Sequence, residues 1–246
     1  MEILNTLIKD LPDIEIKNAI IGAFDTAVLS RHWGMASTLK LTPCNASHCG
    51  GISDAGNLIG MPVKKVAELS LSNNLLEASL GLAAINSAIE INEENITEIN
   101  ALDILTEHGL NKNVAVIGHF PFVNKLKTVA GKLYIIEKSP QPGDMHESMT
   151  EDILPDMDVV AITATSLANH TFETIMNSIK PSAFVIMLGP STPLSKAMFD
   201  FGITVLSGSL ISDEPLALKY ITQGASYKQI NGVRRVTMVK DKRRKR

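Results

Sequence analysis

The chain has 246 residues, 45% hydrophobic and 20% charged, an ordinary globular composition able to bury a sizeable core. Its net charge of −3 hides an asymmetry: Lys240 to Arg246 holds six of the basic groups and one Asp, leaving a body of 17 basic against 25 acidic residues. No apolar run of about 18 residues occurs, Met1-Glu2-Ile3-Leu4-Asn5 lacks the order of a secretory signal, and two cysteines cannot build a disulfide framework. These features point to a cytoplasmic protein with no membrane span.

Residues 1–11 carry Ile3, Leu4, Leu7, Ile8 and Leu11 at helical spacing, and Pro12-Asp13 stops the helix. Alternating apolar residues from Ile14 onward predict a hairpin or meander over 14–42. Thr42 to Gly60 is rich in Gly, Ser, Asn and Pro and reads as loop. Val63 to Leu71 suits a short helix. Leu75 to Ile91 suits a longer one that is apolar all round and so buried on several sides. Within it Ala78, Gly81 and Ala84 allow another element to come close. Asn92-Glu93-Glu94-Asn95 is a polar break, and a domain boundary is expected near residue 98.

Beyond it, five apolar runs alternate with helical segments: Val114–Ile117, Leu133–Ile136, Val159–Ile162, Phe184–Leu188 and Ile203–Leu206. Continuous runs of this kind mark strands covered on both faces, so the fold class is α/β with a parallel sheet over 99–239. In such sheets ligands bind beyond the carboxyl ends of the strands. Four of the five ends are built from Gly, Ser and Thr, which serve as turn residues or as close-approach and hydroxyl groups around a ligand.

The first end, Gly118-His119-Phe120-Pro121, has one glycine of a dinucleotide fingerprint and neither of the others. Phe120 stands where a pyrophosphate needs bare backbone and Pro121 removes an N–H, which disfavours NAD. Glu137, ending the second run, matches an acid that grips a ribose hydroxyl. Thr163, Thr165, Asn169 and Thr171 form a second polar cluster, in which Asn169 is either a helix cap or a ligand donor. Gly189-Pro190-Ser191-Thr192 and Gly208 complete the rim, with Ser191 or Thr192 capping a helix or holding an anion at it. His119 is the best candidate for a working imidazole, His146 lies in a loop, and His32 and His108 read as surface or satisfied core residues. Cys44, His48 and Cys49 form a local metal-ligand candidate for zinc or a softer metal. It has no second pair, and free loop cysteines are the alternative. The basic tail, 240–246, is a disordered solubilising end or an anion-binding arm; nucleic acid is the less favoured partner because the tail has no aromatic residue.

Gly118-His119-Phe120-Pro121, Thr163 to Thr171 and Gly189-Pro190-Ser191-Thr192-Pro193, together with Gly34-Met35-Ala36-Ser37 and Ser79 to Asn86, resemble the uncharacterised "putative heavy-metal chelation" family. The resemblance implies an enolase-N-terminal-like α+β domain over 1–98 followed by a Rossmann-like domain. It also implies a small-molecule site in the cleft between them, and it brings no established reaction. The expected ligand is small and anionic or metal-chelating, with a divalent or heavy metal ion as the candidate cofactor. The alternative is a transferase using a nucleoside-type cofactor such as S-adenosylmethionine. A homodimer is allowed, and no catalytic residue is assigned.

Overall fold

The structure, a computed structural model, describes residues 1–40 and 50–240. Helix α1 (Glu2–Lys9) buries Ile3, Leu4 and Leu7 on the stripe that their spacing predicts. The expected meander is a three-stranded antiparallel sheet of β1 (Asn18–Ile21), β2 (Asp25–Leu29) and β3 (Trp33–Ser37), in that order. The chain resumes at Gly50. Asn74 donates to the carbonyl of Gly51, and the Glu77 carboxylate accepts from Ser53 and Ser72. Burial pushes the Glu77 carboxyl up, but these hydrogen bonds overcome it and hold the group below its ordinary value.

Helix α2 (Val63–Ala67) runs into a 3-10 turn, Glu68–Leu71, and α3 (Leu75–Ala88) follows. Every residue of α3 from Glu77 to Ala88 is buried, as its all-round apolar character demands. Two glycines make the crossings possible. A Cβ on Gly34 of β3 would lie 2.1 Å from the Ser87 nitrogen, and one on Gly81 would lie 2.0 Å from that of Ser70.

Asn100 caps α4 (Ala101–Gly109), and strand–helix alternation begins. The elements are β4 (Asn113–Ile117), α5 (Val123–Lys127), β5 (Lys132–Glu137), β6 (Met145–His146) and α6 (Thr150–Ile153), then β7 (Val159–Thr163), α7 (Thr165–Ala168), α8 (Phe172–Ser178) and β8 (Phe184–Leu188). The chain closes with β9 (Val205–Ile211), α9 (Glu214–Thr222) and β10 (Val233–Val239). The seven strands lie in the order β10-β9-β8-β7-β4-β5-β6, all parallel except β10, which runs antiparallel to β9. The fold class is therefore α/β, with a mostly parallel sheet and flanking helices.

Two expectations shift. The fifth strand starts at Val205 and runs on to Ile211, paired along its length with β10, so Gly208, expected at its end, lies inside it. The last strand, β10, was not expected. Its outer half carries Arg234 and Arg235, and only Val236, Thr237 and Met238 are buried. Arg234 pairs with Glu93 and Glu98, tying this edge to the chain that precedes α4.

Alternate residues of the large sheet face two cores, as the period of a strand requires. Val114, Val116, Ile135, Ala161 and Ile186 pack with Leu105 of α4 and Leu126 of α5. Ala115, Ile136, Val160, Ile162 and Met187 join one continuous cluster with α1, α2, α3, α7 and α8. Among the described residues no helix is long and apolar enough to cross a membrane.

Candidate functional site

From β4 the chain moves outward to β5 and β6, then crosses back to β7, β8 and β9 on the other side. The loops after β4 and β7 thus diverge from neighbouring strands, which leaves a crevice at their carboxyl ends. A cavity of about 710 Å³ lies there, within the usual size of a small-molecule site. Gly118, His119 and Phe120 line it after β4, Glu137 and Lys138 after β5, and Thr163, Thr165, Ser166, Asn169, His170 and Thr171 after β7. His146, Glu147, Ser148 and Glu151 close one side, and Leu39, just past β3, contributes from the small sheet.

Each strand end is shaped by its sequence. Gly118 has φ of +101°, where a side chain would be strained, and its Cβ would meet Thr163 at 3.1 Å. Phe120 stacks on Phe122, with centroids 5.1 Å apart, leaving Phe120 on the cavity wall. Thr163 and Thr165 share a hydrogen bond of 2.9 Å. The Asn169 Oδ1 accepts from the Thr171 amide and hydroxyl just ahead of α8, so that oxygen shapes the local turn. Ser166 is 1% exposed, lines the cavity, and its Oγ has no hydrogen-bond partner among the described residues.

Three histidines line the cavity, each with one nitrogen engaged. The His146 Nδ1 accepts the Ser148 amide at 3.2 Å. His170, held at φ of +63°, uses its Nε2 to donate to the Ser70 carbonyl at 2.9 Å. The His119 Nδ1 lies 3.4 Å from an oxygen of Asp144, whose side chain is 4% exposed. His32 and His108 stand apart from the cavity: His32 bonds to the Ile89 carbonyl, and His108 stacks on Phe184.

The remaining rim residues do not reach this cavity. Pro121 is exposed beside it. Pro190, Ser191, Thr192 and Gly208 are used for packing, while Gly189 takes φ of +115° in the turn after β8 with open space beside it. Ser191 is 1% exposed, and its Oγ accepts the Ser37 amide at 2.8 Å. The Ser191 carbonyl accepts from Asn86 of α3. Gly208 is bare because a Cβ there would lie 3.1 Å from the Thr192 carbonyl, so the close approach is by the protein's own loop. The cap expected from Ser191 or Thr192 falls instead to Ser195, which accepts the Ala197 amide.

Cys44, His48 and Cys49 lie outside the described residues. Among the described residues no three His, Cys, Asp or Glu side chains gather to hold a metal ion. The cavity histidines turn toward separate protein partners, so this lining does not fit a bound metal, and no chemistry is routed through one. Asp144, Ser166, His170, His146 and Leu39 were not singled out by the sequence as site residues. Of these, Ser166 and His170 lie within the polar cluster Thr163 to Thr171, and Asp144 follows the Pro142-Gly143 turn.

A family model described as "putative heavy-metal chelation" (DUF364) matches residues 100–240. The chain belongs to this family. A second model with the same description (DUF4213) matches residues 4–89. A DUF364-family protein of unknown function from Desulfitobacterium hafniense has a TM-score of 0.83 at 27% identity, over 97% of each chain. One from Pyrococcus horikoshii has a TM-score of 0.76 at 21% identity, covering 97% of this chain and 98% of its own. An uncharacterised protein of Methanocaldococcus jannaschii is 28% identical over 179 residues, which is 68% of each chain. The family description names a property, heavy-metal chelation, and no reaction.

Proposed function

We propose that the chain binds a small polar molecule bearing amine and hydroxyl donors, of the nitrogen- and oxygen-donor chelating kind, in the cavity after β4, β5 and β7. The observation that carries this reading is the lining itself: the ends of β4, β5 and β7 bring Glu137, Thr163, Thr165 and Asn169 onto one cavity of about 710 Å³. The charges select the ligand. Glu137, Glu147 and Glu151 face one cation, Lys138, whose Nζ is already 3.7 Å from Glu147. Amines and hydroxyls suit that lining better than a free anion does. The reading includes a division into an enolase-N-terminal-like domain and a Rossmann-like domain; the separate matches at 4–89 and 100–240 support the division itself.

A second reading, a transferase using a nucleoside-type cofactor such as S-adenosylmethionine, rests on Glu137. It is the last residue of β5, the neighbour of β4, where an acid grips a ribose diol. Phe120 on the wall suits a nucleoside without a diphosphate.

Calorimetric titration with histidine, iminodiacetate and citrate, each free and as its nickel, copper or zinc complex, tests the first reading. Saturable binding of the amine-bearing compounds is expected, weakened about tenfold by Glu137→Gln, with citrate binding worst. No saturable binding by any of them overturns it. A thermal-shift series with S-adenosylmethionine and adenosine tests the second. At 100-fold excess over Kd a true ligand stabilises by about 2.7 kcal/mol, and unmoved melting curves reject it.

A further inference from the structure

Resting on the reading that a donor-bearing molecule occupies this cavity, we propose that His119 and Asp144 form a proton-accepting pair that deprotonates one of its hydroxyl or amine groups. The three cavity histidines differ in what stands behind them. His146 has committed its Nδ1 lone pair to the Ser148 amide, so its neutral ring can offer only an N–H from Nε2. His170 donates Nε2–H to a carbonyl, and an imidazolium there would be backed by a neutral oxygen. His119 alone has a carboxylate behind it, 3.4 Å from Nδ1. The contact is an ion-pair distance and not an aligned hydrogen bond; a small rotation of the ring would turn Nδ1–H onto Asp144 and leave the Nε2 lone pair free, the arrangement by which a carboxylate fixes the tautomer of a general base.

Asp144 is built into place. Gln141-Pro142-Gly143-Asp144 folds as a turn in which the Asp144 amide donates to the Gln141 carbonyl at 2.9 Å. Pro142 presets the first corner, and Gly143 takes φ of +97° at the second. The Gln141 amide returns a hydrogen bond of 3.0 Å to Asp144 Oδ2, the oxygen that faces His119. The carboxylate is thus held by its own turn while its side chain is 4% exposed. The His119 side chain is 39% exposed, so a proton accepted at Nε2 has a route to solvent. The step is a proton transfer only: the donor group loses H⁺, Nε2 gains it, and Asp144 balances the imidazolium. At 3.4 Å and without hydrogen-bond alignment the pair is looser than a strong charge-assisted bond, and catalytic hydrogen bonds are often long or poorly aligned before ligand arrives.

Two measurements on the whole chain decide this, and neither needs the ligand. Long-range ¹H–¹⁵N correlation of ¹⁵N-histidine protein at pH 9 reads the neutral tautomer. His119 is expected as Nδ1–H in the wild type, moving toward the ordinary Nε2–H form in Asp144→Asn. Carbethoxylation by diethyl pyrocarbonate at pH 8, followed by peptide mass spectrometry, should modify His119 several-fold faster in the wild type than in Asp144→Asn. A wild-type Nε2–H tautomer overturns the pair, and so do equal rates in the two proteins. If Asp144→Asn does not fold, the wild-type tautomer alone decides. Failure of every titrant in the binding series rejects the ligand reading and leaves the tautomer result standing, so the two failures are distinguishable.

Discussion

After β4, β5 and β7 the end loops surround a cavity, whereas the loop after β8, no poorer in Gly, Ser and Thr, is shut against β3 and α3. Ser166 and Ser191 stand for the two regions. Both are 1% exposed, yet Ser191 holds the Ser37 amide and Ser166 holds nothing. Residue type therefore does not decide which strand end is a site. What decides it is where the small sheet and α3 come down on the rim, and that is fixed by two bare crossings and one buried amide.

The crossings give the largest expected effect. Gly34→Ala or Gly81→Ala would place a methyl group 2.1 or 2.0 Å from backbone nitrogen, which no rotamer can relieve. Separation of α3 from β3 or from the turn at Ser70 is the only escape. A loss of about 4 kcal/mol or more, or failure to fold, is expected in denaturant unfolding. A loss below about 1 kcal/mol would mean that α3 does not lie as close as described.

Next comes Asp25 on β2, on the closed side. Its strand partner Ser37 reaches Ser191, and by alternation it shares the face of Ala27, which packs on Ala217 and Ile221 of α9. It is 2% exposed, neither carboxyl oxygen has a partner among the described residues, and burial pushes it up from 3.8 to about 7. Because the folded value is the higher one, its contribution to stability is complete below about pH 4 and is lost as pH rises through about 7. The span is worth on the order of 4 kcal/mol. Asp25→Asn should match the wild type near pH 4 and exceed it by most of that amount at pH 8. Parallel pH–stability curves for the two proteins would show that Asp25 is not the group responsible.

The sequence made the sheet legible because parallel strands covered on both faces must be apolar throughout, as in Val114–Ile117 and Phe184–Leu188. It hid β10, where Arg234 and Arg235 break the pattern at an edge that tolerates charge. Gly118, Glu137, Thr163, Thr165, Asn169 and Thr171 were legible because each sits at a strand end near the point where the chain reverses direction. Gly189, Ser191 and Gly208 carry the same signal, yet Gly189 only makes a turn, Ser191 is packed, and Gly208 lies inside β9. No local pattern in them reveals that Asn86, more than 100 positions away, will donate to Ser191. Asp144 was obscured for a related reason: a Pro-Gly turn announces a bend and says nothing about which side chain the bend delivers to a neighbour.

Asn86 offers a smaller test of the closed side. Its Nδ2 donates to the Met35 carbonyl at 2.8 Å and to the Ser191 carbonyl at 3.2 Å, while its Oδ1 is buried without a partner. Asn86→Leu strands two carbonyls and removes one unsatisfied oxygen, for a net loss of about 2 kcal/mol by denaturant unfolding. A neutral result would assign the closure to apolar packing alone.

The finest distinction is between the two serines. Ser191→Ala removes the acceptor of a buried amide, so the Ser37 N–H is left unpaired and stability should fall by about 1–2 kcal/mol. Ser166→Ala removes a hydroxyl that had no partner to lose, so stability should stay within about 0.5 kcal/mol or rise. Unequal losses would separate a hydroxyl that the protein's own backbone uses from one that it does not. Equal losses of stability would mean that Ser166, too, holds a partner in the folded protein.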